Sequence, residues 1–165
     1  MKIGIKEDLL IAKLPKIYLL SDTESMANAL QVFAREKWVT VNIEHYMLDI
    51  VDFCIGYFNT AIDITNVYNI PDNTRQKIKK ALFFQMIFEA MSFILQIKEL
   101  NGDLGVDCKV LEDDLAITIR ASLGRKSLDV GKYSSFITTR IAKENNYKVN
   151  MEINHRTFSL KLTCT

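Results

Sequence analysis

The chain has 165 residues, of which 48% are hydrophobic and 25% are charged, as is typical of a soluble globular protein. Its net charge of +1 gives no electrostatic basis for binding nucleic acid or a membrane surface. The cysteines, Cys54, Cys108 and Cys164, are dispersed, lack metal-binding spacing and indicate reduced thiols. With no signal peptide or membrane-length apolar run in the sequence, we expect a cytoplasmic protein without a metal site.

The first 38 residues predict two short helices. Apolar residues recur at helical spacing through 3–20, where Pro15 should kink or end the first helix. A turn at 21–24 starts a second helix that runs to about Lys37. A hairpin this small cannot bury its apolar stripe alone, so it needs the rest of the chain or a second copy of itself.

Beyond residue 38 the pattern alternates between helices and strands. The expected elements in chain order are a helix at 43–59, a strand at 61–67, a helix from about 74 to 98, strands at 106–110 and 116–121, a helix at 131–145, and strands at 148–153 and 157–162. Asn42 looks like the cap of the first of these helices. The run Lys77, Lys79 and Lys80 is interpreted as a solvated helix face. One mixed sheet with helices on one face follows from this order.

Four phenylalanines, Phe83, Phe84, Phe88 and Phe93, lie on both faces of their predicted helix. One face must pack on the sheet. The other would be exposed unless the hairpin or a second subunit covers it. This is the strongest reason in the sequence to expect a homodimer.

Trp38 stands between the hairpin and the rest of the chain. One interpretation is a buried plug at this junction, since Val39, Val41 and Ile43 beside it look buried. The other is an interaction hot spot, because tryptophan dominates interface energetics. The buried plug is the preferred interpretation.

The C-terminal half resembles the ATPase domain of histidine kinases. The strand rhythm of 115–124, the helix at 136–142 and the closing strands at 148–153 and 157–162 carry this resemblance. With the preceding hairpin, the chain is similar to bacterial histidine phosphotransferases of the ChpT type. The resemblance implies an α+β fold: a helical hairpin at 1–38 of the dimerisation type, then a degenerate kinase ATPase-like sandwich at 39–165.

The positions that bind ATP in histidine kinases are replaced here. The N-box falls on residues 85–90, where the asparagine that would hold magnesium becomes Glu89. The D-x-G motif that binds adenine falls on 121–123, where Ala121 replaces the aspartate and Leu123 replaces the glycine. The glycine-rich lid falls near 132–134 and leaves no phosphate cradle. We therefore expect no ATP binding and no cofactor.

The phosphorylated histidine of the family has no counterpart in the first helix. Its H-D-L-x-x-P motif aligns either Glu7 or Leu10 with the histidine. His45 then becomes the candidate phosphoacceptor, with Glu44 as an orienting acid, because phosphotransfer needs an exposed imidazole. An ordinary surface histidine is the alternative for His45, and His155 is interpreted as structural.

The leading hypothesis is a phosphorelay adaptor or histidine phosphotransferase that docks response-regulator receiver domains and is not an ATP-dependent kinase. The receiver would supply the aspartate and the magnesium. The alternative is a non-catalytic binding module of the anti-sigma, kinase-like fold. A third hypothesis is a structural domain whose sheet is kinase-like by coincidence.

Overall fold

A computed structural model describes residues 14–17, 23–58, 64–71, 73–95, 100–111, 114–123, 142–145, 147–154 and 157–164. The helices are α1 (Thr23–Arg35), α2 (Ile43–Phe58), α3 (Lys80–Leu95) and the short α4 (Ala142–Glu144). The strands are β1 (Trp38–Asn42), β2 (Ile64–Asn69), β3 (Arg75–Lys79), β4 (Leu100–Leu111), β5 (Asp114–Leu123), β6 (Tyr147–Asn154) and β7 (Thr157–Cys164).

Two sheets organise the described part of the chain. Five strands form a mixed sheet in the order β2-β4-β5-β7-β6, with β2 and β4 parallel and the other neighbours antiparallel. A separate antiparallel ribbon pairs β1 with β3. The mixed sheet and the two C-terminal hairpins agree with the pattern of the sequence, whereas the ribbon does not appear among the predicted elements.

Helices cover one face of the five-stranded sheet. Alternate residues of β4 and β5, including Val106, Cys108, Ile117 and Ile119, are buried in one core with side chains of α1, α2 and α3. Ala116 and Thr118, at intervening positions of β5, are buried as well, but Ala116 is not part of that core, as expected of a residue on the opposite face of the sheet. The prediction of an α+β fold with helices on one face of a mixed sheet is confirmed.

Strand β3 corrects the interpretation of the lysine run. The helix expected directly after residue 73 begins instead at Lys80, and Arg75–Lys79 pairs along its whole length with β1. Lys77 and Lys79 are therefore strand residues, and the solvated helix face proposed for the run is wrong. Long-range pairing with β1 decides the conformation here, and a five-residue basic segment carries little local signal of it.

The N-terminal prediction is tested only in part. Helix α1 agrees closely with the second predicted helix. Of the first predicted helix, only 14–17 lies within the described residues, and these are not helical, in keeping with a break at Pro15. Most of the helix predicted at 131–145 also lies outside the described residues.

Phe83, Phe84 and Phe88 are all buried within the single chain. Phe53, Tyr57 and Phe58 of α2 form ring contacts with Phe84 or Phe88, so α2 covers the side of α3 that seemed to need a partner. The expectation that the hairpin or a second subunit must cover part of this cluster is therefore wrong for these three rings. The side chain of Phe93 lies outside the description. The homodimer stays a prediction, without the support of this cluster.

A reciprocal pair of capping contacts attaches α1 to the sandwich. The Glu36 carboxylate accepts hydrogen bonds from the backbone N–H groups of Ala81 and Leu82 at the start of α3. The Lys79 ammonium donates to the carbonyl oxygens of Phe33 at 2.9 Å and Ala34 at 3.4 Å, at the end of α1. Each charge thus lies at the helix end whose dipole it complements.

Trp38 lies at the surface of this junction. It is 37% exposed, and its ring is 5.9 Å from the ring of Tyr147 and 5.6 Å from the Lys79 ammonium. The indole covers the buried lysine and joins the ribbon to β6. The preferred interpretation of Trp38 as a buried plug is therefore wrong in its burial. Val39, which points to the opposite face of β1, is exposed as well, so the start of this two-stranded ribbon is open to solvent on both faces.

The thiols of Cys54 and Cys108 are fully buried and free. Burial raises the pKa of each to about 12, and the charges of Asp107 and Glu44 add to the effect on Cys108. An unfolded thiol ionises near pH 8.5, so both residues stabilise the fold fully below that pH and lose this contribution as the pH rises toward 12.

We therefore expect these two thiols to resist modification in the native protein. A Cys164→Ser variant removes the third thiol, whose side chain lies outside the description. Treated with a thiol-specific chromogenic disulfide at pH 8, this variant should release colour only slowly until denaturant is added, when two thiols react at once. Rapid reaction of either thiol in the folded protein would contradict the burial described above.

Candidate functional site

Helix α2 starts directly after strand β1 because its first turn is capped. The Asn42 side-chain oxygen accepts a hydrogen bond from the backbone N–H of His45 at 3.1 Å, as an N-cap residue does. The backbone N–H of Ile43 donates to the carbonyl of Thr74 at 3.2 Å. The chain therefore turns from strand to helix at a fixed point, and the predicted cap at Asn42 agrees with the structure.

His45 and Glu44 point to different sides of this first turn. His45 is exposed, and within the described residues its imidazole forms no hydrogen bond or ion pair. Glu44 is half-buried, and its charge acts on the Cys108 thiol of β4, on the sheet side of the helix. Consecutive helical residues are about 100° apart, so this separation is expected. The exposure that phosphotransfer requires is present at His45, and the role of Glu44 as its orienting acid stays a prediction.

His45 lines a groove of about 290 Å³ between α2, the ribbon and the start of α3. The lining residues are Thr40, Val41, Asn42, His45, Tyr46, Asp49 and Lys80. Asp49 follows His45 by four residues and so lies one helical turn away on the same side of α2. The acid that shares a surface with His45 is therefore Asp49, which sequence reasoning missed although the i,i+4 spacing could have identified it.

Tyr46 and Lys80 fix one wall of the groove. The Tyr46 hydroxyl donates to the carbonyl oxygen of Lys80 at 2.6 Å, which joins α2 to the start of α3. Burial, followed by the charges of Glu36, Tyr147 and Asp49, raises the pKa of Tyr46 well above its usual range, so it remains a neutral donor. The Lys80 ammonium lies 5.3 Å from the centre of the Tyr46 ring, within cation–π range.

Two cations on β3 are the register partners of groove-lining residues, although neither lines the groove itself. Thr40 and Asn42 line the groove, and their register partners on β3 are Lys77 and Arg75. Register partners in an antiparallel pair project from the same face. Lys77 and Arg75 are both exposed. Their pairing with groove-lining residues could not be predicted from the sequence because β3 was taken for part of a helix.

The positions that resemble the nucleotide boxes lie elsewhere in the fold. Residues 85–90 are in the middle of α3, where the buried Gln85 side-chain amide donates to the Glu89 carboxylate at 3.3 Å. Ala121 pairs with Leu104 of β4 near the end of β5, and its side chain is buried. An acid and an alanine thus occupy the two positions, and residues 132–134, which match the lid, lie outside the described residues.

Other kinds of site find little support in the described ranges. No cluster of three or more histidine, cysteine or acidic side chains there is arranged to hold a metal ion. None of the helices described combines the length and apolarity needed to cross a membrane. His155, interpreted as structural, lies between β6 and β7 and outside the described residues.

Similar folds are found among solved histidine kinases, although no family model and no curated protein matches the sequence. The histidine kinase AdeS of Acinetobacter baumannii superposes with a TM-score of 0.67 at 7% identity, covering 84% of this chain and 74% of its own. A histidine kinase from Burkholderia phymatum gives a TM-score of 0.62 at 9% identity, covering 86% and 76%. The cytoplasmic segment of histidine kinase QseC gives 0.63 at 14% identity, covering 92% and 98%. This chain therefore has a histidine-kinase-like fold.

Proposed function

We propose that this chain is a kinase-like protein of two-component signalling that docks response-regulator receiver domains in the cytoplasm and does not bind ATP. The observation that carries the proposal is a histidine-kinase-like fold in which Glu89 and Ala121 stand where the resemblance places the groups that hold magnesium and adenine. The homodimer expected from the hairpin at 1–38 belongs to the same proposal.

The replacements oppose nucleotide binding for a physical reason. The carboxylate of Glu89 replaces the neutral amide of the asparagine, and it accepts a hydrogen bond from the Gln85 amide at 3.3 Å, which competes with holding a magnesium ion. Ala121 has no carboxylate to accept the hydrogen bond that adenine donates in the D-x-G pocket. Both effects lower affinity for ATP and leave the backbone fold unchanged.

His45 is the residue we propose for phosphoryl transfer. The unprotonated ring nitrogen of its imidazole would attack the phosphorus of an aspartyl phosphate on the receiver. A nitrogen–phosphorus bond forms as the bond to the aspartyl oxygen breaks, and the aspartate leaves as a carboxylate. The positive charge that develops on the ring is balanced by the proton on the other nitrogen moving to solvent or to a carboxylate. Asp49 shares the groove with His45, and Glu44 is the acid expected from the sequence.

The exposed side of α2 favours a second function without phosphoryl transfer. Leu48 and Ile55 lie two turns apart on one side of the helix that carries His45, and each is 37% exposed. Exposed apolar side chains on one helix are typical of surfaces that bind other proteins. A non-catalytic adaptor of the kinase-like fold would use this surface for binding alone.

Phosphoryl transfer from labelled receiver domains separates these possibilities. Receiver domains from the same genome, labelled with radioactive acetyl phosphate, are mixed with the wild type, His45→Ala and His155→Ala. We expect acid-labile label on the wild type and on His155→Ala, and none on His45→Ala. Label that persists on His45→Ala would contradict the proposed site. Stable receiver binding with no label on any variant would leave the adaptor and remove the enzyme.

A further inference from the structure

We propose that the groove between α2 and the ribbon is an anion-binding cleft that receives the phosphorylated, acidic surface of a docking partner. Arg75 and Lys77 would contact the anion from the rim, and Lys80 from inside the groove. The identification of that partner as a receiver domain rests on the proposed function, whereas the cleft itself rests on the positions of these three cations.

The register of the ribbon places the two rim cations. Lys77 lies opposite Thr40, and Arg75 lies opposite Asn42, and both partners line the groove. Side chains directly opposite in an antiparallel pair have Cβ atoms about 5 Å apart. The long side chains of lysine and arginine can therefore extend over the mouth of the groove from β3.

Lys80 lines the groove and two further cations pair with its lining residues, opposed by the carboxylates of Asp49 and of Glu36, whose charge acts on Tyr46. Arg75 and Lys77 are exposed and form no ion pair with any residue that the structure describes. Lys80 adds a third cation, held against the Tyr46 ring, and Asp49 is the one carboxylate among the lining residues. Lys79, by contrast, is 5% exposed and is committed to the end of α1. Within the described residues, no contact of Arg75 or Lys77 thus explains why a cation stands at either position.

The side chains of the cleft suit a phosphorylated protein. The planar guanidinium of arginine matches phosphate oxygens bidentately, and lysines add point charges. His45 lies among them with an exposed imidazole. Tyr46, the aromatic residue that lines the groove, is buried, so the groove itself offers no exposed ring on which a nucleic-acid base could stack. Charge complementarity with an acidic partner would mainly increase the association rate at low salt.

A charge-matched comparison tests the cleft. Arg75→Gln with Lys77→Gln removes two charges at the groove, and Lys148→Gln with Lys161→Gln removes two exposed charges on the five-stranded sheet. Binding is measured at low salt to receiver domains carrying beryllofluoride, a mimic of aspartyl phosphate. We expect the groove variant to associate about tenfold more slowly and the sheet variant to match the wild type. Equal slowing of both variants, or none in either, would overturn the proposal.

Pyrophosphate gives a second readout that does not depend on the partner. Titrated into isotope-labelled protein, it should shift the backbone amide signals of Thr40 and Asn42 in the wild type and not in the groove variant. If no receiver binds but these shifts occur, the cleft stands and the receiver proposal fails. If pyrophosphate leaves these signals unchanged, the cleft is overturned whatever the receivers do.

Discussion

Replacing Phe88 by alanine is expected to lower the free energy of unfolding by about 3–5 kcal/mol, the range for truncating a buried aromatic side chain. Phe88 is buried on α3. The centre of its ring lies 5.2 Å from the ring centre of Tyr57, 5.3 Å from that of Phe58 and 6.4 Å from that of Phe84. Removing it opens a cavity between α2 and α3, which other parts of the packed core cannot fill. Urea denaturation followed by circular dichroism measures the change.

Phe88→Leu is the matched control for this prediction. Leucine keeps most of the apolar volume and loses the ring contacts, so a smaller loss of about 1.5 kcal/mol or less is expected. A loss of less than about 1 kcal/mol for Phe88→Ala would place the ring at the surface. That result would again favour a second subunit that covers the phenylalanine cluster.

Replacing Lys79 by methionine is expected to destabilise the protein by about 1–3 kcal/mol and to loosen the end of α1. Methionine keeps much of the apolar stem but removes the ammonium that caps the carbonyl groups of Phe33 and Ala34. It also removes the cation under the Trp38 ring. Hydrogen exchange should quicken in the last turn of α1, while the five-stranded sheet remains protected.

Lys77→Met separates this effect from the loss of a charge. Lys77 lies on the same strand and the same ribbon face, two residues earlier, but is exposed. Substitutions at such positions usually change the free energy of unfolding by less than about 0.5 kcal/mol. Equal destabilisation by the two substitutions would show that the capping contacts of Lys79 contribute little.

The elements that could be predicted are those with a strong local signal. Helix α1 and helix α2 carry apolar stripes of helical period, and α2 also has a capping asparagine at Asn42. The hairpin of β4 and β5 shows period-two alternation around an acidic turn. These signals depend on neighbours in sequence, and together with element order they were enough to indicate the kinase-like fold.

The elements and contacts that could not be predicted depend on distant residues. Residues Arg75–Lys79 form a strand because they pair with β1, which is distant in the sequence. Even the nearest pair, Asn42 and Arg75, is 33 positions apart. Lys79 is buried because the end of α1 and Trp38 enclose it. At the candidate site, the exposure of His45 followed from its place in the first turn of α2. The groove around His45 could not be predicted, because it forms only where the ribbon and α3 meet α2.

The most direct test of the central claim labels the protein from two donors side by side. One sample receives magnesium and radioactive ATP, and the other receives radioactive phospho-receiver domains; an active histidine kinase is the positive control for ATP. If the protein accepts phosphoryl groups and does not bind ATP, the receivers should label the wild type and not His45→Ala, and ATP should label neither. Label from ATP alone would contradict that claim and show that the chain is a kinase despite Glu89 and Ala121.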